Sequence, residues 1–148
     1  MRFWATVLLL ATALAAACSD GGHTHAVGRP TLGLVWANAQ RGYGEVAPHY
    51  ISNGGDGTGV VRDIKWETWG HDIAIGNGTG YYSTESPAAA GPAPAVVIAF
   101  DLGDCDGQLA YRKVRWFFPA KGDPINLSDD VDDYDLCERY VVQTDVGR

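Results

Sequence analysis

The stretch AVVIAFDL at residues 95–102 carries the strongest strand signal in this chain. It is apolar and rich in β-branched and aromatic residues, and it is followed by the turn sequence GDCDG at 103–107. Side chains alternate between the two faces of a strand. The stretch is therefore predicted to be a strand with one larger apolar face and one smaller face: Val96, Ile98, Phe100 and Leu102 against Ala95, Val97 and Ala99.

A second strand is predicted at 109–119, directly after the turn. Its alternation places three apolar side chains inward and two basic ones outward: Val114, Trp116 and Phe118 against Lys113 and Arg115. Shorter strands are predicted further out, at 31–37, 48–52, 60–69, 72–75, 80–84 and 139–144, with a loop at 86–94. This pattern of about seven strands predicts an all-β fold, an antiparallel β-sandwich or a small barrel.

The N-terminus has the features of an export signal. Residues 1–17 combine an early arginine with an apolar run that ends in three alanines, which is typical of a cleaved signal peptide. The sequence LAAAC at 14–18 resembles the lipobox of bacterial lipoproteins, in which the cysteine, here Cys18, receives a lipid. The alternative is ordinary cleavage after Ala17 and secretion. Residues 18–30 are predicted to be a flexible tether, and 31–148 a single domain.

The three cysteines support this division. An exported protein meets an oxidising environment, in which an unpaired thiol is unfavourable. If Cys18 carries a lipid, Cys105 and Cys137 remain as a disulfide pair. The alternative is that both are free, buried thiols.

Composition excludes some functions. The 148 residues include 11 basic and 18 acidic ones, a net charge of −7, so nucleic acid is not an expected partner. With 46% hydrophobic residues, the chain is also too apolar to be a disordered acidic segment. We expect no cofactor and no catalytic residues.

The segment 66–79 has the form WxxWGxxxAxGxGT. It resembles a group of uncharacterised small secreted or lipid-anchored actinobacterial proteins, in which this core is followed by a proline-containing loop and a strand reaching a cysteine. The resemblance covers roughly residues 50–118, although this chain lacks the group's further cysteines. It implies an exported β-rich protein and no particular chemistry.

Two interpretations of the tryptophans in this motif are open. Glycines that alternate along a strand leave room for a flat ring, so in the first interpretation a tryptophan packs over them as part of the hydrophobic core. Trp66 is expected to face the core, and Trp69 the opposite side. Exposed aromatic side chains there would instead form a platform for a ligand such as a sugar, and the candidates are Trp69, Tyr81 and Tyr82.

Candidates for catalysis and metal binding are sparse. His49 and His71 are possible general bases, and Glu67 with Asp72 is a possible hydrolase pair. The acidic run at 129–135 is expected to be a solvated loop that faces the basic residues Arg112, Lys113 and Arg115; calcium binding there is the alternative.

These features together predict an exported lipoprotein, anchored by lipid on the extracytoplasmic side of the cell membrane or else secreted. We expect a non-enzymatic protein that binds an envelope ligand or protein partner. A cell-wall hydrolase that uses carboxylates and a carbohydrate-binding module that uses exposed aromatics are the alternatives.

Overall fold

The computed structural model describes residues 28–35, 39–128 and 134–138, and strands dominate its regular structure. The strands are β1 (Thr31–Leu32), β2 (Tyr50–Ser52), β3 (Val60–Trp66), β4 (Ala74–Tyr82), β5 (Gly91–Cys105) and β6 (Gln108–Phe117). They form one mixed sheet in the order β1-β6-β5-β4-β3-β2, curled into half a barrel. β1 runs parallel to β6, and the other pairs are antiparallel. The prediction of an all-β fold is confirmed.

The sheet differs from the predicted arrangement in number and layering. The described residues form six strands in one sheet rather than about seven strands in a clear sandwich. The segments predicted at 72–75 and 80–84 both fall partly within the single strand β4, because the glycines between them continue the pairing with β5. The segment predicted at 139–144 lies outside the described residues.

The loop predicted at 86–94 is shorter than expected, because β5 begins at Gly91 and includes Pro92 and Pro94. The pairing between β5 and β6 ends at Val96 opposite Phe117, whereas the pairing with β4 continues to Gly91. Residues 91–95 therefore extend beyond β6, and a proline is tolerated where no second neighbour needs its N–H group.

The core lies on the inner face of the curved sheet. β5 contributes its smaller face to this core, namely Ala93, Ala95, Val97 and Ala99. The larger residues come from other elements, including Leu32, Tyr43, Ile51, Val61, Ile64, Tyr111 and Phe118. Small side chains in the central strand leave room on the inner face for these larger ones, so the alanines of β5 permit the curvature.

Two aspartates shift the inward-facing positions along their strands. Asp63 in β3 and Asp101 in β5 have φ angles of 55° and 58°, in the left-handed region. Beside Asp63, the register of β3 against β4 shifts between Arg62 and Lys65. As a result Val61 and Ile64, three residues apart, are both buried. Across Asp101, Ala99 and Leu102 likewise both pack on the core.

Substitutions at Asp101 test this backbone conformation. Asp101→Val is expected to destabilise the protein by about 1–2 kcal/mol, because a β-branched side chain is unfavourable at positive φ. Asp101→Gly should be neutral or stabilising, since glycine adopts this conformation without steric cost. Denaturant unfolding measures both variants. Lys65→Val, at an exposed strand position with ordinary φ, is the control; an equal loss there would contradict the explanation.

Residues 134–138 form a strap that closes the sheet on the side of β1 and β6. The Leu136 N–H group donates to Arg112 O at 2.7 Å, and Leu136 O accepts from Leu34 N at 3.1 Å. Cys137 and Cys105 lie at disulfide distance, with Cα atoms 5.3 Å apart, which confirms the predicted pair.

An ion pair also holds the strap. Asp135 pairs with Arg112, and the guanidinium lowers the pKa of the Asp135 carboxyl group. The expected contact between the acidic run and the basic residues is thus present at Asp135, while residues 129–133 lie outside the described ranges. The strap joins β1, β6 and the end of β5.

Removing the cysteine pair should weaken the protein strongly. The double variant Cys105→Ala with Cys137→Ala is expected to lose about 3–4 kcal/mol, because the bond closes a loop with a sequence separation of 32. Chemical denaturation with and without dithiothreitol measures this loss. The reductant should lower the stability of the native protein and leave the variant unchanged; a native protein insensitive to reductant would refute the prediction.

Candidate functional site

The two tryptophans of the motif pack together rather than on opposite sides. The rings of Trp66 and Trp69 meet edge to face with centroids 4.6 Å apart, and Trp69 contacts Tyr111 at 4.9 Å. Each indole N–H group donates to a proline carbonyl, Trp66 to Pro48 at 2.7 Å and Trp69 to Pro30 at 2.9 Å. Trp69 is half-buried and packs against the core, so the expectation that it faces the opposite side is wrong.

The reason lies in where β3 ends. The strand stops at Trp66, and Gly70 then turns the chain with a φ angle of 91°. The hydroxyl of Tyr111 accepts a hydrogen bond from Gly70 N at 2.9 Å and donates one to His71 O at 2.6 Å. Alternation of side chains holds only within a strand, so Trp69 returns to the side of Trp66.

The glycines of β4 lie beneath large side chains, as the alternation predicted. A Cβ atom on Gly76 would be 3.0 Å from the Trp66 ring, and one on Gly80 would be 2.9 Å from Phe118. The prediction that a tryptophan packs over these glycines is confirmed at Gly76. At Gly80 the lack of a side chain allows Phe118, which follows β6, to pack closely on β4.

An open cleft of about 700 Å³ lies where β4 ends. Three segments meet there: the turn before β3, the loop from β4 to β5, and the loop after β6. Hydroxyl groups are the most frequent side-chain feature of the lining, which includes Thr58, Tyr81, Tyr82, Ser83, Thr84 and Ser86. Tyr81 and Tyr82 were predicted as ligand-binding residues, and the structure brings both of them to this cleft.

The floor of the cleft is held in place by Phe118. Its ring packs on Tyr82 with centroids 5.1 Å apart, and its N–H group donates to Asp123 Oδ2 at 3.0 Å. Lys121 N donates to Phe118 O at 2.8 Å and closes a tight turn. The loop after β6 is therefore fixed against β4 by both packing and hydrogen bonds.

The loop on the other side is organised by Ser83. Its Oγ accepts hydrogen bonds from the N–H groups of Glu85 and Ser86, at 3.1 Å and 3.2 Å. At the third segment, Asp56 accepts from the hydroxyl and the N–H group of Thr58, and these bonds lower the pKa of Asp56. The loops that line the cleft are thus held by hydrogen bonds of their own.

The charges around the cleft are acidic. Glu85 and Asp123 line it, whereas none of its described lining residues is lysine, arginine or histidine. The guanidinium of Arg62 lies over the Tyr81 ring, 5.8 Å from its centroid, outside the lining. Phosphate or another anion would therefore meet no compensating cation among these lining residues.

The other predicted site residues lie elsewhere. Glu67 accepts a hydrogen bond from Asn77 at 2.6 Å, and Asp72, His49 and His71 are exposed. None of these four lines this cleft or a smaller one of about 240 Å³ near Asn77 and Pro94.

In the described ranges, no three histidine, cysteine or acidic residues are grouped to hold a metal ion. Cys18 lies outside those ranges.

Sequence reasoning missed part of the cleft. Glu85, Phe118 and Asp123 were not predicted as ligand-lining residues, and they reach the site from two loops. The serine spacing in Ser83-Thr84-Glu85-Ser86 could have indicated a structured turn, because a serine hydroxyl often accepts from backbone N–H groups two and three residues later. No local signal indicates that this turn faces Phe118.

Comparisons of the chain with protein families, with curated proteins and with solved structures gave no match. Within the described residues, no helix has the length and apolar character needed to cross a membrane.

The tryptophan hydrogen bonds can be tested by substitution. Trp66→Phe is expected to cost about 2–4 kcal/mol, because it removes ring volume and leaves the carbonyl of buried Pro48 without its donor. Trp116→Phe is the matched control, since Trp116 also packs on the core but makes no indole hydrogen bond within the described structure. Urea unfolding should show a smaller loss for the control; equal losses would contradict the role of the Pro48 bond.

Proposed function

We propose that this protein is an exported, lipid-anchored envelope protein that binds a ligand without transforming it. The observation that carries the binding role is the cleft at the end of β4, where two tyrosines meet hydroxyl and carboxylate groups on loops held by their own hydrogen bonds. Ligand sites in proteins are typically concave and largely preformed, with aromatic side chains and a few placed polar groups. Its anchor is a lipid on Cys18, and its partner is a component of the cell envelope.

Several features of the sequence support export. The apolar residues 1–17 precede a cysteine in a lipobox-like setting, and the motif at 66–79 resembles that of exported actinobacterial proteins. Cys105 and Cys137 lie at disulfide distance, and such bonds persist in oxidising compartments. This pairing leaves Cys18 as the remaining cysteine, which is consistent with lipidation.

Binding is better supported than hydrolysis. The carboxylates considered for a hydrolase, Glu67 and Asp72, do not line either described cleft, and Glu67 is engaged by the amide of Asn77. A glycosidase needs two carboxyl groups that face each other across the bond to be cleaved. The alternative of a hydrolase that uses this pair has no comparable structural support.

Replacement of Cys18 tests the anchor. The native protein, expressed in a bacterial host, should fractionate with membranes, and its intact mass should show loss of residues 1–17 and added acyl chains. Cys18→Ala should lose the acyl chains and the membrane association, because the thiol that accepts the lipid is absent. Ser19→Ala keeps that thiol and is the control. Native protein released to the medium without acyl chains would overturn the anchor and support simple secretion.

A further inference from the structure

We infer that the ligand of the Tyr81–Tyr82 cleft is a neutral oligosaccharide. This inference rests on the proposed binding function and specifies its ligand class. It follows from three properties of the cleft: which hydrogen-bonding groups remain available, how the two tyrosines are presented, and which charges surround them.

Ser83 shows which hydrogen-bonding groups are available. Its oxygen already accepts from two backbone N–H groups, those of Glu85 and Ser86. A hydroxyl has two acceptor lone pairs and one proton, so the Ser83 hydroxyl is left to act as a donor. A ligand that pairs with this donor must carry an acceptor, which an ammonium or guanidinium group lacks. Sugar hydroxyl and ring oxygens provide acceptors.

The two carboxylates of the lining favour a ligand that donates hydrogen bonds, although one oxygen of Asp123 already accepts from Phe118 N. Glu85 and Asp123 accept hydrogen bonds when ionised, and neither forms an ion pair with any residue in the described part of the chain. A sugar hydroxyl both donates and accepts, so it can pair with Ser83 and with a carboxylate at once. An anionic ligand would instead be repelled by both carboxylates, as no lysine, arginine or histidine is among the described lining residues.

The tyrosines provide the apolar surface that a sugar ring needs. As neighbours in β4 they project from opposite sides of the strand, and both reach the cleft because the strand ends there. Tyr82 is held by Phe118, and Arg62 lies over the ring of Tyr81. Arg62 thus already provides a cation for the Tyr81 ring, so this ring does not need a cationic ligand. Both rings are half-buried and retain exposed surface.

Calorimetry on the detergent-solubilised, membrane-extracted protein tests the inference. The probes are the neutral tetrasaccharides of N-acetylglucosamine, glucose and mannose, with tetralysine and inorganic phosphate as charged alternatives. At least one tetrasaccharide should bind, and Tyr81→Ala should weaken that binding about ten-fold. Tyr82→Phe keeps the ring against Phe118 and should weaken binding through loss of the hydroxyl.

Tyr134→Ala is the matched control, because Tyr134 is 70% exposed in the strap, which is attached at the opposite end of β5 from the cleft. It should leave binding unchanged, and thermal unfolding of every variant establishes that it is folded. Binding of tetralysine or phosphate but of no tetrasaccharide overturns the sugar assignment and keeps a binding function for the cleft. Sugar binding unaffected by Tyr81→Ala, or no binding of any probe by the folded protein, also overturns it. Acylation of Cys18 is measured separately by intact mass, so failure of the lipid anchor can be distinguished from failure of sugar binding.

Discussion

The hydrogen bonds of the aromatic cluster formed by Trp66, Trp69 and Tyr111 hold the rest of the structure in place. Each indole N–H group caps a carbonyl of a buried proline, Pro30 before β1 or Pro48 before β2. Those prolines precede the two strands at the opposite edges of the sheet. The cluster therefore draws both edges towards the middle of the inner face. Burial raises the pKa of the Tyr111 hydroxyl, and this hydroxyl donates a hydrogen bond at the turn that follows Trp69.

The small residues of the central strands make that arrangement possible. Alanines of β5 and glycines of β4 occupy the inner face, so the rings of neighbouring elements can lie directly over the backbone. Filling that space with larger side chains would push the rings outward and flatten the sheet. The same lack of side chains at Gly80 admits Phe118, and Phe118 in turn forms the floor of the cleft. Curvature and the candidate site thus have a common cause.

The cleft joins the fold to the proposed function. A lipid anchor would keep the domain at the membrane surface, and the cleft would present amphipathic rings and hydroxyl groups to the material around it. A neutral sugar matches these groups because it offers apolar ring faces together with paired donors and acceptors. Sites of this kind need no chemistry from the protein, and preformed loops limit the entropy lost on binding.

Local patterns in the sequence were enough to predict strands and turns, because alternation and turn chemistry involve only neighbouring residues. The cysteine pair followed from the number of cysteines, and Tyr81 and Tyr82 were named as candidate ligand residues. The export signal and the lipid anchor are also local patterns, and they stay predictions. Three features depend on the packing of the folded chain: β5 gives the core its smaller face, Trp69 joins Trp66, and residues near 58, 85 and 120 meet in one cleft. Those outcomes depend on how far the sheet curls and on where loops return. Both are set by contacts between residues distant in the chain, which a period-two pattern does not encode.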